Sequence, residues 1–338
     1  MSTWKSPLLL SATLVSLLLP TASSAQRLLT EGLAGASGST VGPDGALYVT
    51  EGLDGKVTRV DPWNGDKTDF GTNLPAGGEL LEGAGGPVDV AFIDGVAYVL
   101  VNLVNGCFGG PDAVGIYRME APDTFSLLAD LGVWSASNPP VGFPYFVPCG
   151  VPYAIEAFRG GLLVTDGHHN RILWVSLDGD ISEFESFGNI VPTGLEVHGK
   201  TVYMAEAGPV PHEAEDGRIV AVDAKSHDLS EVAAGAPLLV DVERGLGETL
   251  YGLAQGQWCP PGETPPSCGK FEGAPAEPDS GSLVEVNADG SFTVVASGLN
   301  LPTSMEFIGN DAYVVNLLGE IWVVDDVSEP PFGRGKHR

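Results

Sequence analysis

Six times along the chain a short apolar run ends in a carboxylate or carboxamide and gives way to a loop. The runs are Leu47–Glu51, Ala97–Asn102, Leu162–Asp166, Val202–Glu206, Leu250–Gln255 and Ala312–Asn316. Their last residues lie 51, 64, 40, 49 and 61 positions apart. One such unit is too small to bury both faces of its own sheet, so its copies must stack against one another. A repeat of roughly 40–50 residues made of short strands is the signature of a β-propeller. The expected fold is all-β: a six-bladed β-propeller with four-stranded blades.

Each unit divides into four strands. The innermost are expected at Ser39–Val41, Val88–Ile93, Tyr153–Phe158, Gly194–His198, Leu238–Glu243 and Ser304–Ile308, and the recurring run is the second strand. Apolar and polar residues alternate imperfectly, as expected of strands buried on both faces. The sixth unit stops after its third strand, near Val324. The start of the chain resembles the missing piece: Arg27–Leu33 reads like Thr293–Leu299, which ends unit five. The N-terminal strand is therefore expected to close blade six and remove the open edge.

Residues 1–25 read as a signal peptide. Lys5 supplies the positive start, Leu8–Leu19 the apolar stretch, and Ser23-Ser24-Ala25 a small-residue cleavage site. The propeller then spans 26–327, a tail spans 328–338, and the mature protein is expected to be secreted or periplasmic. The formal charge of −28 argues against nucleic acid, which needs clustered Lys and Arg, and against anionic membranes. A monomer is expected.

Connections between strands are unequal. Turns such as Pro43-Asp44-Gly45 and Asp178-Gly179 are short, while 72–87, 103–114, 131–152, 207–217 and 256–281 are long. In a propeller all these long connections emerge on one face. All four cysteines lie in them. Four cysteines allow three connectivities; proximity favours Cys259–Cys268 within one loop and leaves Cys107–Cys149. A scaffold with elaborate loops on one face is expected to bind a small molecule, glycan or protein there.

Three glutamates, Glu156, Glu196 and Glu306, sit between apolar neighbours at matching places on innermost strands. Asp89, Asp241 and Glu243 lie near that register. An acid between two apolar residues points away from them, here into the central channel. Carboxylates crowded there must be hydrated, partly protonated or bound to a cation. Oxygen-only ligands suit Ca²⁺ or Mg²⁺. A second ring, Glu51, Asn102, Asp166, Glu206, Gln255 and Asn316, opens the loops of the elaborated face. These residues either meet a ligand or hold the following loop backbone. The segment Val164–Ile172 contains His168 and His169, two of only six histidines. Neutral imidazoles can act as general bases or metal ligands, and His212 in the next blade could join them. No Gly-x-Ser-x-Gly elbow, His-Glu-x-x-His or phosphate loop occurs.

The Asp166…Arg171 segment resembles an NHL repeat, where the acid and the arginine tie a blade together. Phe187–Leu195, Val202–Pro209, Thr165–Arg171 and Val284–Ser291 together resemble the ScyD/ScyE family of secreted propellers, a name taken from a genomic setting. The architecture is more distantly similar to gluconolactonase-type and virginiamycin-lyase-type propellers. The former implies Asn or Asp metal ligands just before the Gly-Leu of an innermost strand. Thr193 and Thr303 stand at those places here.

Two functions are thus expected to compete. One is a binding propeller for a small molecule, glycan or partner. The other is a divalent-metal-assisted hydrolase, lyase or isomerase, with Glu156, Glu196 and Glu306 on the metal and His168, His169 or His212 moving a proton.

Overall fold

The structure is a computed structural model that describes residues 25–78, 83–258 and 275–328. It contains six sheets of four antiparallel strands. In blades I to V the chain order is also the order from the channel outward. The innermost strands of these blades are Ala36–Val41, Gly86–Ile93, Pro152–Phe158, Pro192–His198 and Leu239–Arg244. Blade VI begins with Pro302–Ile308, continues through Asp311–Asn316 and Ile321–Val324, and is completed by Gln26–Thr30. That last strand pairs antiparallel with Ile321–Val324. The expected closure by the chain start is therefore present.

The recurring run forms the second strand of each blade. In blades I and III every residue of it is buried. Neighbouring blades cover its two faces, so the run carries no polar alternation. The outermost strand of blade I, Lys67–Gly71, is mostly exposed and reads as polar. Six apolar clusters fill the wedges between adjacent blades. The blade II–III wedge, for example, packs Leu100 and Ile116 against Leu162, Val164 and Leu173. Burial of this kind contributes roughly 25 cal/mol per Å² of apolar surface.

Hydrogen bonds stitch the innermost strands around the ring. Ile155 N–H of blade III donates to Asp89 of blade II at 2.8 Å. Met305 N–H of blade VI donates to Asp241 of blade V at 2.8 Å. The Thr165 hydroxyl donates to Thr193 O at 2.6 Å, and that of Thr193 to Leu239 O at 3.0 Å. The Thr303 hydroxyl crosses to Ser37 O at 2.7 Å, which joins the last blade to the first.

The two aspartates reveal a pseudo-twofold axis. Asp89 and Asp241 occupy the same register in blades three steps apart. Each is preceded, one blade earlier, by a glycine that leaves it room. A Cβ on Gly38 would lie 2.4 Å from Asp89 Oδ1, and one on Gly194 would lie 2.3 Å from Asp241 Oδ1. Blades I–III and IV–VI are therefore similar halves at the channel wall.

The described parts of the long connections rise on one face. Cys107 and Cys149 form a disulfide with Cα atoms 5.6 Å apart. The other expected pair, Cys259–Cys268, lies outside the described residues, as do nearly all of the expected signal peptide and tail. The connection 131–152 carries one feature not expected from sequence, the helix α1 (Leu131–Ser137). Asp130 caps it by accepting from Val133 N–H at 2.8 Å.

Candidate functional site

Two compartments share the central axis, and they differ in chemistry. On the short-turn side lies a narrow acidic channel. On the long-loop side lies a broad apolar basin.

The channel takes its walls from the innermost strands. Asp89, Glu156, Asp241, Glu243 and Glu306 line about 30 Å³ of space, room for one or two water-sized groups. Glu156, Glu196, Glu243 and Glu306 pair across their sheets with Leu163, Tyr203, Tyr251 and Tyr313. These equivalent places make them one layer spanning blades III to VI. Asp89 and Asp241 form the layer above. Of the three glutamates singled out in sequence, Glu156 and Glu306 face this space. Glu196 sits beside Arg244 instead, 4.0 Å from its Nε.

Burial dominates the electrostatics of this channel. It pushes Asp89 up to about 7. It pushes Glu156 up to about 8, helped by the charges of Glu196, Asp89 and Asp241. Burial raises Glu196 to about 7 against the pull of Arg244. Asp241, Glu243 and Glu306 are held well above the ordinary range by burial and then by their acidic neighbours. Near neutral pH the channel therefore holds protons and carries fewer charges than carboxyl groups.

Tyr153 separates the compartments. It belongs to blade III, yet its hydroxyl donates to Thr303 O of blade VI at 3.2 Å. Those blades face each other, so the side chain spans the axis. It lines both spaces.

Above Tyr153 the basin encloses about 460 Å³. Its floor is Ser37, Val88, Tyr153, Thr193 and Val240, the entries of the innermost strands. Its walls include long-loop residues, among them Phe108, Phe146, Val147 and His212. Among the described residues, no Asp, Glu, Lys or Arg lines it. Phe108 and Phe146 stand at the rim, 66% and 68% exposed. Each lies within three residues of one half of the Cys107–Cys149 bridge, which joins their two loops.

The double histidine holds this rim. His168 Nε2 accepts from Phe146 and Val147 N–H groups at 2.9 and 3.0 Å. That nitrogen therefore carries no proton, and the neutral ring is protonated at Nδ1. His169 Nε2 lies 3.0 Å from Val147 O. A carbonyl can only accept, so this nitrogen donates and Nδ1 accepts from Arg171 Nη2 at 3.0 Å. Burial lowers the His169 pKa and favours this neutral form. Arg171 is itself buried. It donates to Asn138 O at 2.7 Å and Ser135 Oγ at 2.9 Å, and its guanidinium lies over the Trp134 ring, 4.9 Å from the centroid. Asp166 Oδ2 sits 3.3 Å from His169 Nδ1 and 3.4 Å from Arg171 Nε. His168 alone of the pair lines the basin. His212 lines it too, one blade on, with its ring edge-on to Trp258 at 5.0 Å.

The second ring of polar residues divides by role. Asp166 Oδ1 accepts from Val151 and His169 N–H. Glu51 accepts from Ala34 N–H and from the Thr58 hydroxyl, and lies 3.4 Å from Lys56 Nζ. Asn316 Oδ1 accepts from Leu318 and Glu320 N–H. These three hold loop backbone. Glu206 is pushed up to about 7, mainly by burial. Only Asn102 and Gln255 of the six line the basin.

A divalent cation of the gluconolactonase type would need donors at the channel mouth. The positions expected for them carry Thr193 and Thr303, and both hydroxyls are already donating to backbone carbonyls. Among the described residues no three His, Cys, Asp or Glu side chains are arranged to hold a metal. The donor set at the mouth does not fit that group.

No protein-family model and no curated protein sequence matches the chain. Solved structures do share the fold. The calcium-binding protein regucalcin from Agrobacterium tumefaciens is 14% identical with a TM-score of 0.58, and the match covers 91% of this chain and 96% of that one. A gluconolactonase from Xanthomonas campestris is 12% identical with a TM-score of 0.58, covering 89% of each chain. Virginiamycin B lyase from Staphylococcus aureus is 16% identical with a TM-score of 0.53, covering 88% of this chain and 97% of that one. At such identities the likeness is one of fold.

Proposed function

We propose that this protein is a secreted propeller of the ScyD/ScyE type that binds a small, largely apolar molecule in the basin above Tyr153. The observation that carries the reading is the basin itself. About 460 Å³ of space, whose described lining is uncharged and mostly apolar, falls within the usual size of small-molecule sites. Its long-loop rim is pinned by a disulfide and by His168 and His169, so binding would order little that is not already ordered. Among the described residues the wall carries no carboxylate to serve as general acid or base. His212 is the lining group that could move a proton if the bound molecule reacts.

The test is titration with the neutral fluorescent probe N-phenyl-1-naphthylamine. Micromolar, saturable binding is expected, weakened about tenfold or more by Phe108→Ala with Phe146→Ala. Absence of saturable binding, or affinity untouched by losing both rings, would refute the basin as the site.

A further inference from the structure

Two joined loops beside the basin mouth present large apolar side chains to solvent. Val133 and Val141 are 67% and 94% exposed, and Tyr145, Phe108 and Phe146 are exposed with them. The helix α1, which carries Val133, lies against the turn Asn105–Phe108. The Cys107–Cys149 bridge ties that turn to the far end of the 131–150 segment. His168 and His169 hold the backbone at Phe146 and Val147. The exposed side chains thus share one patch on pinned backbone, and covering them would order little.

The same segment carries no charge. Residues 131–155 contain no Asp, Glu, Lys or Arg, the longest such run in a chain of formal charge −28. Exposed apolar surface of this kind marks contact with a protein or a membrane. Two observations choose between them. Phe108 and Phe146 belong both to the patch and to the basin lining. A protein seated there would stop the mouth, whereas lipid is a medium from which an apolar molecule can enter. Charge points the same way. A protein this acidic repels anionic surfaces and further copies of itself, and the patch offers no ion for the polar rim of a protein interface. A zwitterionic lipid surface carries no net charge and asks for none.

We propose that this patch docks the protein on the surface of a bilayer of zwitterionic lipids. Phe108, Val133, Val141, Tyr145 and Phe146 enter the headgroup layer, and the basin mouth faces the lipid. Aromatic side chains favour that layer, and such insertion is shallow, about 5–10 Å. Among the described residues no helix is long and apolar enough to cross a membrane, and the contact is peripheral. Docking stands on the exposed patch; exchange of a ligand with the lipid rests on the basin reading.

The experiment is flotation of the protein with phosphatidylcholine vesicles. Wild-type protein should float with them, undiminished by high salt, and should float less with phosphatidylglycerol vesicles at low salt. Val133→Glu with Val141→Glu should lower the bound fraction about tenfold. Neither valine lines the basin, so the pair should still bind N-phenyl-1-naphthylamine in solution. Val133→Ser with Val141→Ser keeps the segment neutral and should weaken flotation about threefold; it serves where glutamate impairs folding. No flotation of the wild type, equal flotation of a folded variant, or preference for the anionic vesicles overturns the docking. Self-association that the same variants abolish, without flotation, overturns it in favour of a second copy. Flotation without N-phenyl-1-naphthylamine binding upholds the docking and removes the basin alone.

Discussion

Replacing Glu156 by glutamine tests the acidic channel most directly. Glutamine keeps the shape of the protonated acid and cannot ionise. Glu156 rises from an ordinary 4.5 to about 8 in the folded protein, chiefly through burial. The sign follows from linkage: an acid that holds its proton more tightly when folded contributes stability at low pH. That contribution is lost as pH rises from about 4.5 to about 8. A shift of this size corresponds to at most about 5 kcal/mol. Partial exposure and rearrangement of Glu196, Asp89, Asp241, Glu243 and Glu306 reduce it to roughly 1–3 kcal/mol. Glu156→Gln should therefore be nearly neutral at pH 5 and stabilising at pH 9. The gain between those pH values should appear as about 2–6 °C in Tm. Thermal unfolding followed by circular dichroism at pH 5, 7 and 9 reads it. An identical change in Tm at pH 5 and pH 9 would show that Glu156 ionises as freely in the folded state as in the unfolded chain. The account of the channel would then fail.

Three other outcomes are expected. Cys107→Ser together with Cys149→Ser should lower stability by about 4 kcal/mol on the chain-entropy model, given a sequence separation of 42; unchanged denaturant midpoints would show that the loops are held by other contacts. Arg171→Ala leaves Asp166 buried without its cation and should cost about 3–5 kcal/mol; because Arg171 also bonds the 131–138 segment, the same variant should show faster amide exchange there, and unaltered exchange would contradict its clamping role. Deleting residues 26–31 strips the outer strand from blade VI and bares the edge of Ile321–Val324; a lower Tm and concentration-dependent association are expected, and cooperative unfolding at the wild-type temperature would argue that closure adds little.

Repetition made the fold legible. A run such as Leu47–Glu51 can be buried along its whole length only where neighbouring sheets cover both faces, and six such runs imply six wedges. The missing fourth strand of blade VI was legible for the same reason, since Arg27–Leu33 repeats the pattern of Thr293–Leu299. The channel-facing direction of Glu156 and Glu306 followed from strand alternation. The helix Leu131–Ser137 was not legible, because seven residues with no clear period give no signal above a loop.

The site divides along the same line. Local pattern marked His168, His169 and Asp166 as unusual, but not what they bond. That depended on Phe146 and Val147, about twenty residues away, and on Arg171 folding back under the Trp134 ring. The placement of Asn102 and Gln255 on the basin, with Glu51 and Asn316 turned to their loops, has no counterpart in the repeat, where all six positions look alike. Nor could spacing show Tyr153 reaching across the axis to Thr303. Periodicity is a property of neighbours along the chain, so sequence alone determined the strands, the ring and the elaborated face. The basin and the protonated channel arise where six distant segments converge. Only the closed ring decides which of their polar groups find partners.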